Sequence, residues 1–156
     1  IEPAVEPGVD SHTSPWDGAT LVLYHAQVEN GAVKVISPPI RVLLVDDQEA
    51  FRSAARLVVE LADGFSLVDE AETAEQALDL VEAHEYDLVL MDINLPGIDG
   101  LEATRRITGG GGPPKVIVLS TYEASEYESR ARDAGAIGFI SKSDFGPDQL
   151  VSVWGG

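Results

Sequence analysis

Cysteine is absent from the 156 residues of this chain. That excludes a disulfide framework, a thiolate zinc site and a cysteine nucleophile. Positive charge is scarce, with 10 Lys and Arg against 27 Asp and Glu, a formal net charge of -17 and a pI near 4.2. Such a surface repels nucleic acid and anionic lipid, so direct nucleic-acid or membrane binding by this chain is not expected. Long apolar runs are missing too: none approaches the ~20 residues needed to cross a bilayer. The opening stretch IEPAVEPGVDSH has neither the basic start nor the apolar centre of a signal peptide, and a cytoplasmic location is the expectation. What is present in quantity is apolar residues, 44% of the total, enough for one ordinary domain with a core and an appendage.

From Ile40 onward, short β-branched runs alternate with longer stretches of helical period. IRVLLV precedes EAFRSAARLVVELA, in which Phe51, Ala55, Val58, Val59 and Leu61 are expected to share one helix face. FSLVDEA precedes TAEQALDLVEAH, where Thr73 and Gln76 have capping-box spacing and Leu78 and Val81 should face inward. DLVLM precedes LEATRRI; KVIVLS precedes EASEYESRARDAG, with Gly135 as a helix stop; IGFIS precedes PDQLVSVW. Strands apolar on both faces, alternating with helices, predict an α/β domain: a five-stranded parallel sheet with helices on both sides. Ligands of such sheets sit outside the carboxyl ends of the strands.

Residues 1–39 differ in character and form an N-terminal extension. Pro3, Pro7 and Pro15 among several acids suit a disordered tail, and Asn30-Gly31 between two β-rich runs predicts a hairpin over 19–37. GGGG at 109–112 reads as a flexible loop and is weak evidence for phosphate binding.

The strand ends carry the chemistry. The first strand runs into Asp46-Asp47, the third ends at Asp92, the fourth at Ser120-Thr121 and the fifth at Ser141-Lys142. A parallel sheet brings these to one edge, where three converging carboxylates repel one another unless a cation is present. An all-oxygen donor set favours Mg²⁺, which takes one or two carboxylates, keeps waters and leaves a position for a phosphoryl oxygen. Lys142 and Ser120 are placed to hold the other oxygens of a transferring phosphoryl group.

LLVDDQEAF, VLMDINLPGIDGLEATRRI, VIVLST and GAIGFISKSD, in this order and spacing, resemble the receiver domain of two-component response regulators over about Ile40 to Trp154. The fourth and fifth strands are most similar to receivers that carry a C-terminal helix-turn-helix output domain. The resemblance implies a flavodoxin-like doubly wound sheet of order 2-1-3-4-5 in a receiver domain over 40–156. It implies that Asp92 accepts a phosphoryl group, and that Asp47, the Asp92 carboxylate and the Asn94 backbone carbonyl hold Mg²⁺ with Asp46 acting through water. Lys142 would pair with the phosphoryl group, Ser120 and Phe139 would be the switch pair, and Asn94, Thr121 and Tyr122 would tune access and dephosphorylation. The implied partners are a sensor histidine kinase and, on phosphorylation, a second copy of the chain; DNA would be reached only through another domain, and no metabolite would be turned over.

The chain departs from the family pattern at Thr121, where Ala or Gly is usual, and at Ser143, where Pro often follows the lysine. The last helix is short. Competing readings turn on single positions. A Mg²⁺-dependent phosphohydrolase would need an acid where Asn94 stands. A nucleotide or flavin site would need glycines where DDQEAF offers acids. A degenerate receiver, serving only as a protein-binding domain, has no need of intact Asp46, Asp47, Asp92, Ser120 and Lys142.

Overall fold

Alternate side chains of a strand point to opposite faces, so a strand apolar at every position needs a helical layer on each side. The computed structural model describes residues 25–36, 38–121 and 124–156 and shows that arrangement from Ile40 onward. The chain divides into two units, up to Pro39 and Ile40–Gly156.

In the first unit, β1 (His25–Glu29) pairs antiparallel with β2 (Ala32–Ile36), Val28 opposite Val33. Asn30 and Gly31 join them with φ of 52° and 79°, the left-handed pair that a two-residue hairpin turn requires. The expected hairpin is therefore present over 25–36; its outer residues 19–24 and 37, and the expected tail, lie outside the described residues.

In the second unit the elements follow as β3 (Ile40–Val45), α1 (Glu49–Leu61), β4 (Phe65–Ala71), α2 (Ala74–Ala83) and β5 (Leu88–Asp92). Then come α3 (Gly100–Thr108), β6 (Lys115–Ser120), α4 (Ala124–Asp133), β7 (Gly138–Ser141), a 3₁₀ turn (Lys142–Asp144) and α5 (Pro147–Gly155). The sheet order is β4-β3-β5-β6-β7, all parallel, which is 2-1-3-4-5 counted from β3. Leu43, Val45, Val89, Met91, Val116 and Val118 face α2, α3 and α4. Val42, Leu44, Leu88, Leu90, Ile117 and Leu119 face Ala55 and Val59 of α1 and Leu150 of α5. The doubly wound fold follows from that alternation.

Local signals act largely where the sequence places them. Thr73 Oγ1 accepts the Gln76 amide at 3.0 Å, but the Gln76 side chain returns to the Glu72 amide, one residue before the cap, at 2.9 Å. Leu78 and Val81 are half-buried against the core. Gly135, at φ 100°, ends the α4 segment, the Ala136 amide bonding back to Ala131. One helix face needs correction. Leu61 is 64% exposed, because the inward row of α1 runs Arg52, Ala55, Val59 and continues to Ala62 just past its end. The only cis peptide among the described residues joins Pro113 and Pro114, so Lys142–Ser143 is trans.

Candidate functional site

β3 and β5 are neighbours in parallel register, so their last residues emerge side by side. Asp92 is the final residue of β5 and 3% exposed; Asp46, just past β3, is fully buried, while Asp47 faces solvent. One carboxylate oxygen from each of the three lies within 4.8 Å of the others.

Asp46 is held from several sides. Its amide donates to the Ala71 carbonyl at 3.0 Å, and its Oδ1 accepts the Gln48 amide at 2.8 Å, closing the turn into α1. Its carbonyl accepts Nη1 of Arg52 at 2.7 Å. The Arg52 guanidinium also pairs with Glu49 at 2.5 Å and Glu70 at 3.1 Å. A buried arginine thus joins α1, β4 and the Asp46 loop. Composition hid it; the available signal was an arginine on the inward row between Phe51 and Ala55.

The loop after Asp92 is turned away by Gly97 at φ 78°, in the left-handed region that favours glycine. The Ile98 amide donates to Glu75 Oε2 of α2 at 3.1 Å, and a side chain at position 97 would meet that carboxylate at 2.7 Å. The Asn94 amide points to Asp92 Oδ1 at 3.4 Å, a long contact. Asn94 itself is exposed.

Lys142 opens the 3₁₀ turn after β7, and its side chain is only 10% exposed. Its Nζ lies 2.6 Å from Asp46 Oδ2, 3.5 Å from Asp92 Oδ2 and 4.4 Å from the centroid of the Phe51 ring. The Asp46 contact is an ion pair without hydrogen-bond alignment, which leaves Oδ2 buried and with no hydrogen bond. Asp92 is pushed up to about 6, first by burial and then by the Asp46 charge; Lys142 and the Asn94 amide pull the other way. One lysine does not offset three carboxylates. An all-oxygen cluster with an incompletely satisfied buried oxygen and a carboxylate reluctant to ionise fits a hard divalent cation.

Ser120 is fully buried at the end of β6, next to β5, and lies opposite Ser141 of β7 in register. Thr121 follows it and is exposed; Tyr122 lies outside the described residues. Phe139, opposite Val118, is half-buried against the α2–α4 side of the core and borders a groove toward α5. The topology therefore brings Asp46, Asp47, Asp92 and Lys142 into one constellation, with Ser120 at the adjoining strand end.

The response regulator receiver domain family matches residues 42–154. The response regulator UvrY of Escherichia coli (strain K12) is 39% identical over 114 residues, 73% of this chain and 52% of that protein. Transcriptional regulatory protein DegU of Brevibacillus brevis is 34% identical over 114 residues, 73% of this chain and 48% of that protein. The chain thus spans about half the length of the curated relatives it matches. Among solved structures, a LuxR-family two-component response regulator from Aurantimonas sp. SI85-9A1 superposes with a TM-score of 0.66 at 35% identity, over 73% of this chain and 81% of that one.

Proposed function

Since this chain belongs to the response regulator receiver domain family, we propose that Asp92 is its phosphoryl acceptor and that a sensor histidine kinase is the donor. The observation that carries the reading is Lys142 Nζ set between the carboxylates of Asp46 and Asp92 at one strand edge. Receiver domains bind Mg²⁺ in such an acidic pocket, and here Asp47, Asp92 and the Asn94 carbonyl would hold it, with Asp46 acting through water. Bound there, Mg²⁺ supplies the charge that keeps Asp92 ionised and neutralises phosphoryl oxygens.

The residues of the chain do the rest. An Asp92 oxygen attacks phosphorus; the new P–O bond forms as the P–N bond to the donor imidazole breaks, and the imidazole leaves with that electron pair. Lys142 holds a phosphoryl oxygen as a fixed positive charge, and the Ser120 hydroxyl donates to another. The product is a mixed anhydride on Asp92, and the event regulates the protein without turning over a metabolite. The relatives are regulators by name, one of them of transcription; on this reading the output is transcriptional and reached through a further domain, and a phosphorylated copy pairs with a second.

Intact mass after incubation with a small phosphodonor and Mg²⁺ tests the assignment. One phosphoryl group, stable to acid and lost in base, is expected in the wild type and none in Asp92→Asn. Stoichiometric labelling of that variant at another residue overturns it.

A further inference from the structure

The Phe51 ring has no part in the chemistry above, yet it touches the lysine that does. Lys142 carries a compact charge on a flexible four-carbon stem with many rotamers. Its ammonium must be in place when the phosphoryl group arrives. The two carboxylates at 2.6 and 3.5 Å occupy part of its surroundings; the Phe51 ring, 4.4 Å away at its centroid, occupies another. The negative face of an aromatic ring attracts a cation, more strongly where water is scarce, and the Lys142 side chain is nine-tenths buried.

The ring is itself fixed. Phe51 packs against Phe145, with centroids 6.1 Å apart and planes inclined by 40°. Phe145 closes the turn that Lys142 opens, its amide facing the Lys142 carbonyl at 3.3 Å. Lysine, turn, Phe145 and Phe51 form a closed circuit of contacts. Resting on the reading of Lys142 given above, we propose that Phe51 is a positioning residue for Lys142, its ring face holding the ammonium at the acidic pocket through a cation–π contact.

An aliphatic side chain of the same size would fill the space but not attract the charge. The test therefore varies ring electrons at constant shape, placing mono-, tri- and pentafluorinated phenylalanine, and cyclohexylalanine, at position 51 of the full chain. Two quantities are read: the dissociation constant of beryllofluoride in Mg²⁺, and the ¹⁵N order parameter of the Lys142 ammonium without beryllofluoride. The dissociation constant should rise with each fluorination, to roughly fivefold for the fully fluorinated ring. Over the same series the order parameter should fall, with cyclohexylalanine at the weak end of both. A flat order parameter, or cyclohexylalanine equal to phenylalanine, overturns the positioning role and leaves Phe51 as core filler. Failure of the wild type to bind beryllofluoride instead counts against the acceptor site itself, and the order parameter still decides the role of Phe51.

Discussion

At Asp92 the cost of ionising a buried carboxylate opposes the proposed role of that residue as an ionised nucleophile. Its folded value near 6, against an ordinary 3.8, means the native state holds this proton more tightly than the unfolded chain. Stability falls as pH rises from about 4 to about 6, and above that the full cost of ionising Asp92 is present, on the order of 3 kcal/mol. In chelator-treated buffer Asp92→Asn should therefore be more stable than wild type at pH 8 by up to about 3 kcal/mol, with the gap closing toward pH 4. Mg²⁺ should narrow the gap at pH 8 by stabilising only the wild type. Urea unfolding across this range checks both, and a constant difference from pH 4 to 8 contradicts the first. Arg52 presents the converse case, a buried cation whose every role is to hold something. Replacing it with Gln strands the Asp46 carbonyl and weakens the pairing of Glu70, which keeps Arg56. The expected loss is about 3 kcal/mol. Lys at position 52 should recover part of it, having the charge but not the fork of donors, and calorimetry of the two variants separates these contributions.

At the scale of an element, α3 is the helix that presses on the site. Its first residue, Gly100, donates its amide to the Ile93 carbonyl at 3.0 Å, and Asp99 caps the helix by accepting the Glu102 amide at 2.8 Å. A Cβ at position 100 would overlap the Asp92 backbone carbonyl and meet Ile93 Cα at 3.0 Å. These neighbours are backbone and cannot rotate aside, so the helix start or the Asp92 strand end has to move. Gly100→Ala is expected to cost about 3 kcal/mol, the upper end for overpacking. It should also slow phosphodonor labelling of Asp92. Folding measured with labelling distinguishes the two effects: a stable variant that labels at the wild-type rate would show that the α3 contact does not position Asp92.

Across the whole molecule, the proposed phosphorylation of Asp92 can alter a distant surface only if neighbouring strands respond to it. Ser120 sits at the neighbouring strand end, and a charge-assisted hydrogen bond can draw its hydroxyl toward the phosphoryl oxygens. Phe139, on the next strand, borders a groove of about 390 Å³ that includes Asp148, Ser152 and Val153 of α5, so a change in its rotamer would reshape that surface. The shift can be no larger than the difference in phosphoryl contacts between the two states. ¹⁹F NMR of fluorinated Phe139 should move on adding beryllofluoride and Mg²⁺, and the response should be lost in Ser120→Ala. An unchanged signal, or the same shift without the Ser120 hydroxyl, rules out this coupling.

Much of this was determined by the sequence alone, and for local reasons. Strand and helix limits follow from periodicity, caps and β-branched runs, which is why IRVLLV, FSLVDEA and KVIVLS coincide with β3, β4 and β6. The order of strands and the order of carboxylates then place Asp46, Asp47 and Asp92 at one edge, because parallel strands end together. Tertiary structure decided what depends on distance between segments remote in sequence. That Arg52 is buried while Leu61 is exposed reflects where α1 crosses the sheet. The phase of a single helix leaves this undetermined, since an arginine on the inward row is tolerated only when Glu70, 18 residues later, and the Asp46 carbonyl lie in reach. The Phe51 ring beside Lys142 and the Glu75 carboxylate beneath Gly97 belong to the same class. Each joins residues whose separation along the chain carries no signal, and only the packed helices bring them within a few ångströms.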